Sequence, residues 1–190
     1  DVMASFGELK LVPSDSEAGA YFGFSVSLNA AGDVALVGAY LDDATGGSNS
    51  GAAYVFTSSL GSWTETTKLV PSDSELNAIF GYSTSLNAAG DVALVGAWLD
   101  DATGGLWTQT TKLVPSDSEA GAAFGFSVSL NADGDVALVG AYADNAAGGS
   151  DSGAAYVFTT SSGSWTETTT TTTTKLVPSD SEAGAFFGSS

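Results

Sequence analysis

Cysteine and histidine are absent from the 190 residues, methionine occurs once, and the only basic side chains are Lys10, Lys68, Lys112 and Lys175. Without cysteine there are no disulfides and no thiolate ligands, and without histidine no imidazole can bind a metal or activate a serine. The lack of cysteine leaves the compartment open. Against four lysines stand 22 acidic residues, a formal net charge of −18. A surface of that sign repels nucleic-acid phosphates and anionic lipid headgroups, so neither nucleic acid nor membrane insertion is expected; cations and neutral surfaces are what it can attract. No apolar run is long enough to span a bilayer, and Asp1-Val2-Met3-Ala4 does not open a signal peptide, so a secreted protein is expected here in processed form.

Repetition is what the sequence does have. The stretch from Phe22 to Phe56 returns from Phe80 and from Phe124 and begins again at Phe187. Within it Phe22, Phe24, Val26 and Leu28 alternate with small polar residues, the period of a strand with one buried face. Val34 to Tyr40 is apolar on both faces, as inside a sheet, and Ala52 to Phe56 follows a loop of Gly, Ser, Asn and Asp. The spacing predicts strands near 22–28, 34–40, 52–57 and 63–70 with their repeats, and no helix. The units divide as 1–17 (the last strand and turn of a partial unit), 18–70 (a full unit), 71–114 (a shortened one), 115–177 (a full one with a Thr-rich segment) and 178–190 (the start of another).

Phe22-Gly23, Val37-Gly38-Ala39-Tyr40 and Gly51-Ala52-Ala53-Tyr54-Val55-Phe56, with their copies at Phe80-Gly81, Val95-Gly96-Ala97-Trp98, Phe124-Gly125, Val139-Gly140-Ala141-Tyr142 and Gly153 to Phe158, resemble the FG-GAP repeat, the blade unit of integrin-alpha-like β-propellers. Tyr40, Trp98 and Tyr142 stand where that family more often has proline. The resemblance implies an all-β fold of β-propeller-type blades, four-stranded antiparallel meanders in tandem, with three units plus partial ends. It also implies an extracellular or cell-surface structural or adhesive repeat protein that binds partners, proteins or glycans, through its blades. The alternative is a calcium-dependent protein or glycan binding module of the integrin-head kind. Calcium is the one cofactor the pattern admits: integrin-like members carry an Asp-rich calcium loop where this chain has Asn131, Asp133 and Asp135.

Calcium takes six to eight oxygen ligands, more than these turns supply, and the bland reading of Asn29, Asn87 and Asn131 is an asparagine-stabilised hairpin turn. A second acidic set, Asp42 and Asp43 in the first unit and Asp144 and Asp151 in the third, falls in the next loop, where it reads either as a rim of weak cation sites or as plain solvation. No carboxylate pair is marked as unequal in pKa, and no nucleophile motif or phosphate loop occurs, so an enzyme is not expected. Trp63, Trp107 and Trp165 recur at the start of each fourth strand and read as packing between neighbouring blades rather than sugar platforms.

Successive lysines lie 58, 44 and 63 residues apart. The short interval arises because Gly104-Gly105 run straight into Leu106-Trp107, without the third strand; a composite sequence or an unusual three-stranded blade would produce this. The long one holds seven threonines, Thr168 to Thr174, expected to be exposed and either glycosylated or poorly ordered. Three units are fewer than the roughly four to eight that close a propeller, so pairing with another copy, as a head-to-tail oligomer or filament, or with other blades of a longer chain, is expected.

Overall fold

The computed structural model describes residues 8–100, 112–117, 119–161, 164–167 and 175–190. The first unit folds as a four-stranded antiparallel meander: β1 (Ser25–Leu28), β2 (Val34–Ala39), β3 (Ala52–Ser59) and β4 (Ser62–Leu69), neighbours in that order. The second contributes a hairpin of β5 (Ser83–Leu86) and β6 (Ala93–Gly96). In the third, β7 (Phe124–Leu130), β8 (Val136–Ala141) and β9 (Ala154–Ser161) repeat the meander, and both β10 (Ser164–Glu167) and β11 (Lys175–Leu176) pair with the far edge of β9. Among the described residues there is no helix, and the chain is all β as its alternation predicts.

The first strand starts later than the alternation suggests, at Ser25 rather than Phe22. Tyr21 and Gly23 both have positive φ (56° and 90°), so the chain is still turning there. The fourth strand of the first unit carries a bulge: Phe56 pairs with Glu65 and Val55 with Thr67, leaving Thr66 without an opposite number. In the third unit Phe158 pairs with Glu167 and Tyr156 with Lys175, as Phe56 pairs with Glu65 and Tyr54 with Lys68 in the first. The expectations for Thr168 to Thr174 and for Trp107 lie outside the described residues.

Each sheet has two apolar faces because strand residues alternate. On one face Ala35, Val37, Ala39, Ala52, Tyr54 and Phe56 are buried, with Leu11, Phe22, Trp63 and Val70 packed on them. Trp63 thus packs on the core of its own unit, a correction to the expected packing between units. Phe22 is half-buried and meets Tyr54 and Phe56 edge-on, with centroids 5.6 and 5.9 Å away. On the opposite face Leu36, Ala53, Val34, Val55 and Leu69 meet Phe80, Leu86, Val95 and Ala97 of the second unit. The third unit repeats this: its Val128, Leu130 and Val139 take Leu94 of the second. The sheets therefore stack face to face, each unit covering the one before it.

Candidate functional site: the joint between units and the aromatic face

The residues of the recurring motif meet where one unit joins the next. Ser25 Oγ donates to the Gly81 carbonyl at 2.8 Å, Ser83 Oγ to Gly125 at 2.8 Å, and Ser127 Oγ to Gly188 at 2.9 Å. Gly38 is required by this approach, since a Cβ there would lie 2.0 Å from the Gly81 oxygen; the same holds at Gly96 and Gly140. Gly51 and Gly153 form parallel bridges with Phe80 and Phe187. The final segment Phe186 to Ser190, expected to open a further unit, therefore seats on the third unit as Phe80-Gly81 seats on the first. Towards the opposite end of the strands, Ser27 Oγ accepts from Leu86 N at 2.9 Å and Ser85 Oγ from Leu130 N at 3.0 Å.

A second recurring constellation locks each unit shut. Lys68, at the end of β4, places its ammonium 2.6 Å from Asp15 Oδ2 and 2.8 Å from Asp42 Oδ1. The Tyr54 hydroxyl lies 2.6 Å from Asp42 Oδ2 and 2.8 Å from Asp15 Oδ1, its one proton shared between them. Lys175, Asp117, Asp144 and Tyr156 reproduce this in the third unit, and Lys112 with Asp73 and Asp100 does so in the second without a tyrosine. Burial, reinforced by both carboxylates, pushes the Tyr54 and Tyr156 hydroxyls up. The Lys68 hydrogen bond holds Asp15 below the usual carboxylate range. Burial pulls Lys68 down, but its two carboxylates outweigh this and leave it raised.

Asp42 and Asp144 are thus not solvated rim residues, as their loop composition suggested, but are 3% and 1% exposed. Lysine and tyrosine occupy the oxygens of Asp42. Asp43 and Asp151 are exposed beside them; Asp43 Oδ1 accepts from Asn49 N. Asn131 Oδ1 accepts from Asp135 N and Val136 N at 3.0 Å each, and its amide donates to Asp135 Oδ1 at 2.7 Å, so these two close the turn while Asp133 stays exposed. Asn29 and Asn87 do the same. Among the described residues no three acidic side chains gather as a metal cluster. The lock was missed in the sequence, although a signal existed: its Asp, Tyr and Lys recur together, and the tyrosine is lost only with its strand.

Strand direction places the start of β1, the end of β2 and the start of β3 at one end of each sheet. The side chains flanking those ends are aromatic, and across the three units they touch in a row. Phe24 stands 4.6 Å from Tyr40 and 4.9 Å from Tyr82, Tyr82 4.9 Å from Phe126, Phe126 4.5 Å from Tyr142, and Tyr142 5.8 Å from Phe186. Phe24 and Phe186 are about half exposed. Such rings offer broad, stiff contact area at low entropic cost.

The family model of the FG-GAP repeat matches residues 7–56, 63–106 and 107–158. No curated protein matches the chain.

Proposed function

The chain belongs to the FG-GAP repeat family, and from that premise we propose that it is an extracellular structural or adhesive repeat protein that docks unit on unit, head to tail, and binds other proteins across its aromatic end. One observation carries the reading: the contact buried between units is left open at both ends of the stack. Leu36 is fully buried under the second unit while its counterpart Leu138 is 41% exposed, and Leu86 is 9% exposed while its counterpart Leu28 is 61% exposed. The uncovered faces are those that mate inside the chain, so a further unit, of this chain or another copy, fits each of them.

The aromatic row supports the binding role, since aromatic side chains anchor protein interfaces. A placement outside the cell accords with the family, and no helix among the described residues is long and apolar enough to cross a membrane. A calcium-dependent form of the same module would draw on Asp43, Asp133, Asp135 and Asp151, the candidate carboxylates that are exposed; a calcium-induced rise in melting temperature, reversed by EDTA, would favour it. The main reading is tested by light scattering on the 190-residue chain over a range of concentrations. Oligomers that grow with concentration support it, and a folded, concentration-independent monomer refutes the self-docking.

A further inference from the structure

Val92 to Ala97 has the same sequence as Val34 to Ala39 and Val136 to Ala141, but not the same cover. β2 and β8 each carry a third strand on their far edge, β3 and β9, in matching registers from Ala39↔Ala52 to Val34↔Thr57 and from Ala141↔Ala154 to Val136↔Thr159. Among the described residues β6 pairs with β5 alone. Ala35 and Ala137 are buried where Ala93 is exposed, and Val37 and Val139 are buried where Val95 is half-buried. Beside β6 runs a cavity of about 1470 Å³ lined by Val55 and Leu69 of the first unit, Leu94 and Val95 of the second, and Val128 and Leu130 of the third.

The lock of the second unit records what is missing. Asp15 Oδ1 and Asp117 Oδ1 each have a tyrosine hydroxyl from the third strand, at 2.8 and 2.9 Å. Their counterpart Asp73 Oδ1 is buried with no hydrogen-bond partner among the described residues, although Asp73 Oδ2 keeps its lysine, Lys112, at 2.8 Å. A buried oxygen without a donor is costly and points to the group that would satisfy it.

We infer that the groove along β6 is an acceptor site for an extended segment of a partner polypeptide with the pattern small-small-Tyr-x-Phe, added antiparallel as the third strand of the second unit. Backbone pairing with β6 supplies the ladder. The two small residues fit where Ala52 and Ala53 face Ala39 and Gly38, the tyrosine meets Asp73 and Asp100 beside Lys112, and the phenylalanine covers Ala93. The chain's own Gly51 to Thr57 and Gly153 to Thr159 give the form of the ligand.

The test titrates a lysine-tailed synthetic peptide, Gly-Ala-Ala-Tyr-Val-Phe-Thr, into the full chain, with a scrambled peptide bearing the same tail and a Tyr-to-Phe peptide alongside. Saturable one-to-one binding is expected, absent for the scramble and about tenfold weaker for the Phe peptide, which leaves Asp73 Oδ1 unsatisfied. In the Asp73→Ala chain the advantage of the Tyr peptide over the Phe peptide should shrink to what Asp100 alone supplies, a double-mutant cycle that separates the Asp73 contact from general stickiness. Binding of the scramble, equal binding of the Tyr and Phe peptides to the native chain, or no binding because the chain itself fills the groove would each overturn the proposal.

Discussion

Asp42 and Asp43 are neighbours in sequence and opposite in physical situation. Asp42 is buried between Lys68 and Tyr54, whereas Asp43 is exposed. Replacing Asp42 with Asn removes the charge facing Lys68 and should cost about 1–3 kcal/mol, while Asp43→Asn should stay within about 0.5 kcal/mol; urea unfolding of the two variants reads the difference. Lys68→Met should be worse, about 3 kcal/mol or more, because it leaves Asp42 buried without a cation. The same lock sets the pH response. Hydrogen bonds from Lys68 lower Asp15; for Asp117, burial pulls upward but Lys175 and Tyr156 outweigh it. A carboxyl lowered on folding contributes stability above its unfolded value of 3.8 and loses it as pH falls through the folded value. Lys68 and Lys175 are raised from 10.5, so their contribution is complete below that value and lost as pH rises through the folded one. Asp100 goes the other way: burial raises it, so its contribution falls as pH rises above 3.8. Melting temperature against pH should therefore show a plateau bounded by an acid limb and an alkaline limb, and Asp100→Asn should steepen the acid limb. None of this was legible from loop composition, because Asp42 and Asp43 have the same chemistry and only the fold buries one of them.

At the scale of elements, the strands were legible because period-two alternation is dictated by the pleat, and the repeat multiplied the signal. The start of β1 was not, since nothing in Tyr21-Phe22-Gly23-Phe24 distinguishes a strand from a turn until the positive φ values of Tyr21 and Gly23 are seen. The joint was half legible: Phe-Gly and Val-Gly-Ala marked the repeat, but why glycine is needed appears only when the next unit's backbone arrives. Gly38 and Gly32 separate the two reasons for glycine. Gly38 has ordinary φ and no room, since the Gly81 oxygen lies 2.0 Å from where a Cβ would stand, so Gly38→Ala must push the units apart and should cost about 1–3 kcal/mol. Gly32 has φ +71° and open space, so Gly32→Ala should cost only about 1 kcal/mol of backbone strain and leave the joint untouched. Hydrogen exchange at the Ile79 and Phe80 amides, which donate across the joint to Asn49 O and Ser50 O, distinguishes them: faster in Gly38→Ala, unchanged in Gly32→Ala.

For the whole molecule, the open faces make a directional prediction. Val26 and Leu28 lie on the face that the preceding unit would cover, 70% and 61% exposed, and Leu138 lies on the face that the following unit would cover. A contact between these two faces is heterologous, so every copy offers one donor face and one acceptor face, and association continues until a ring closes or a filament grows. Net charge opposes it: −18 on each copy repels the next, and added salt should strengthen association by screening that repulsion, the reverse of what an ion-pair interface would do. Charge placed on one face at a time then tests the geometry. Val26→Asp blocks one face and Leu138→Asp the other, both at exposed positions, so each variant should fold and remain monomeric alone. Mixed in equal amounts, the two retain one intact pair of faces between them, Val26 and Leu28 of the Leu138→Asp chain against Leu138 of the Val26→Asp chain. Light scattering of the mixture should show dimers and nothing larger. A symmetric interface would give no rescue on mixing, and association through the aromatic end would ignore both substitutions, so either result would place the self-contact elsewhere.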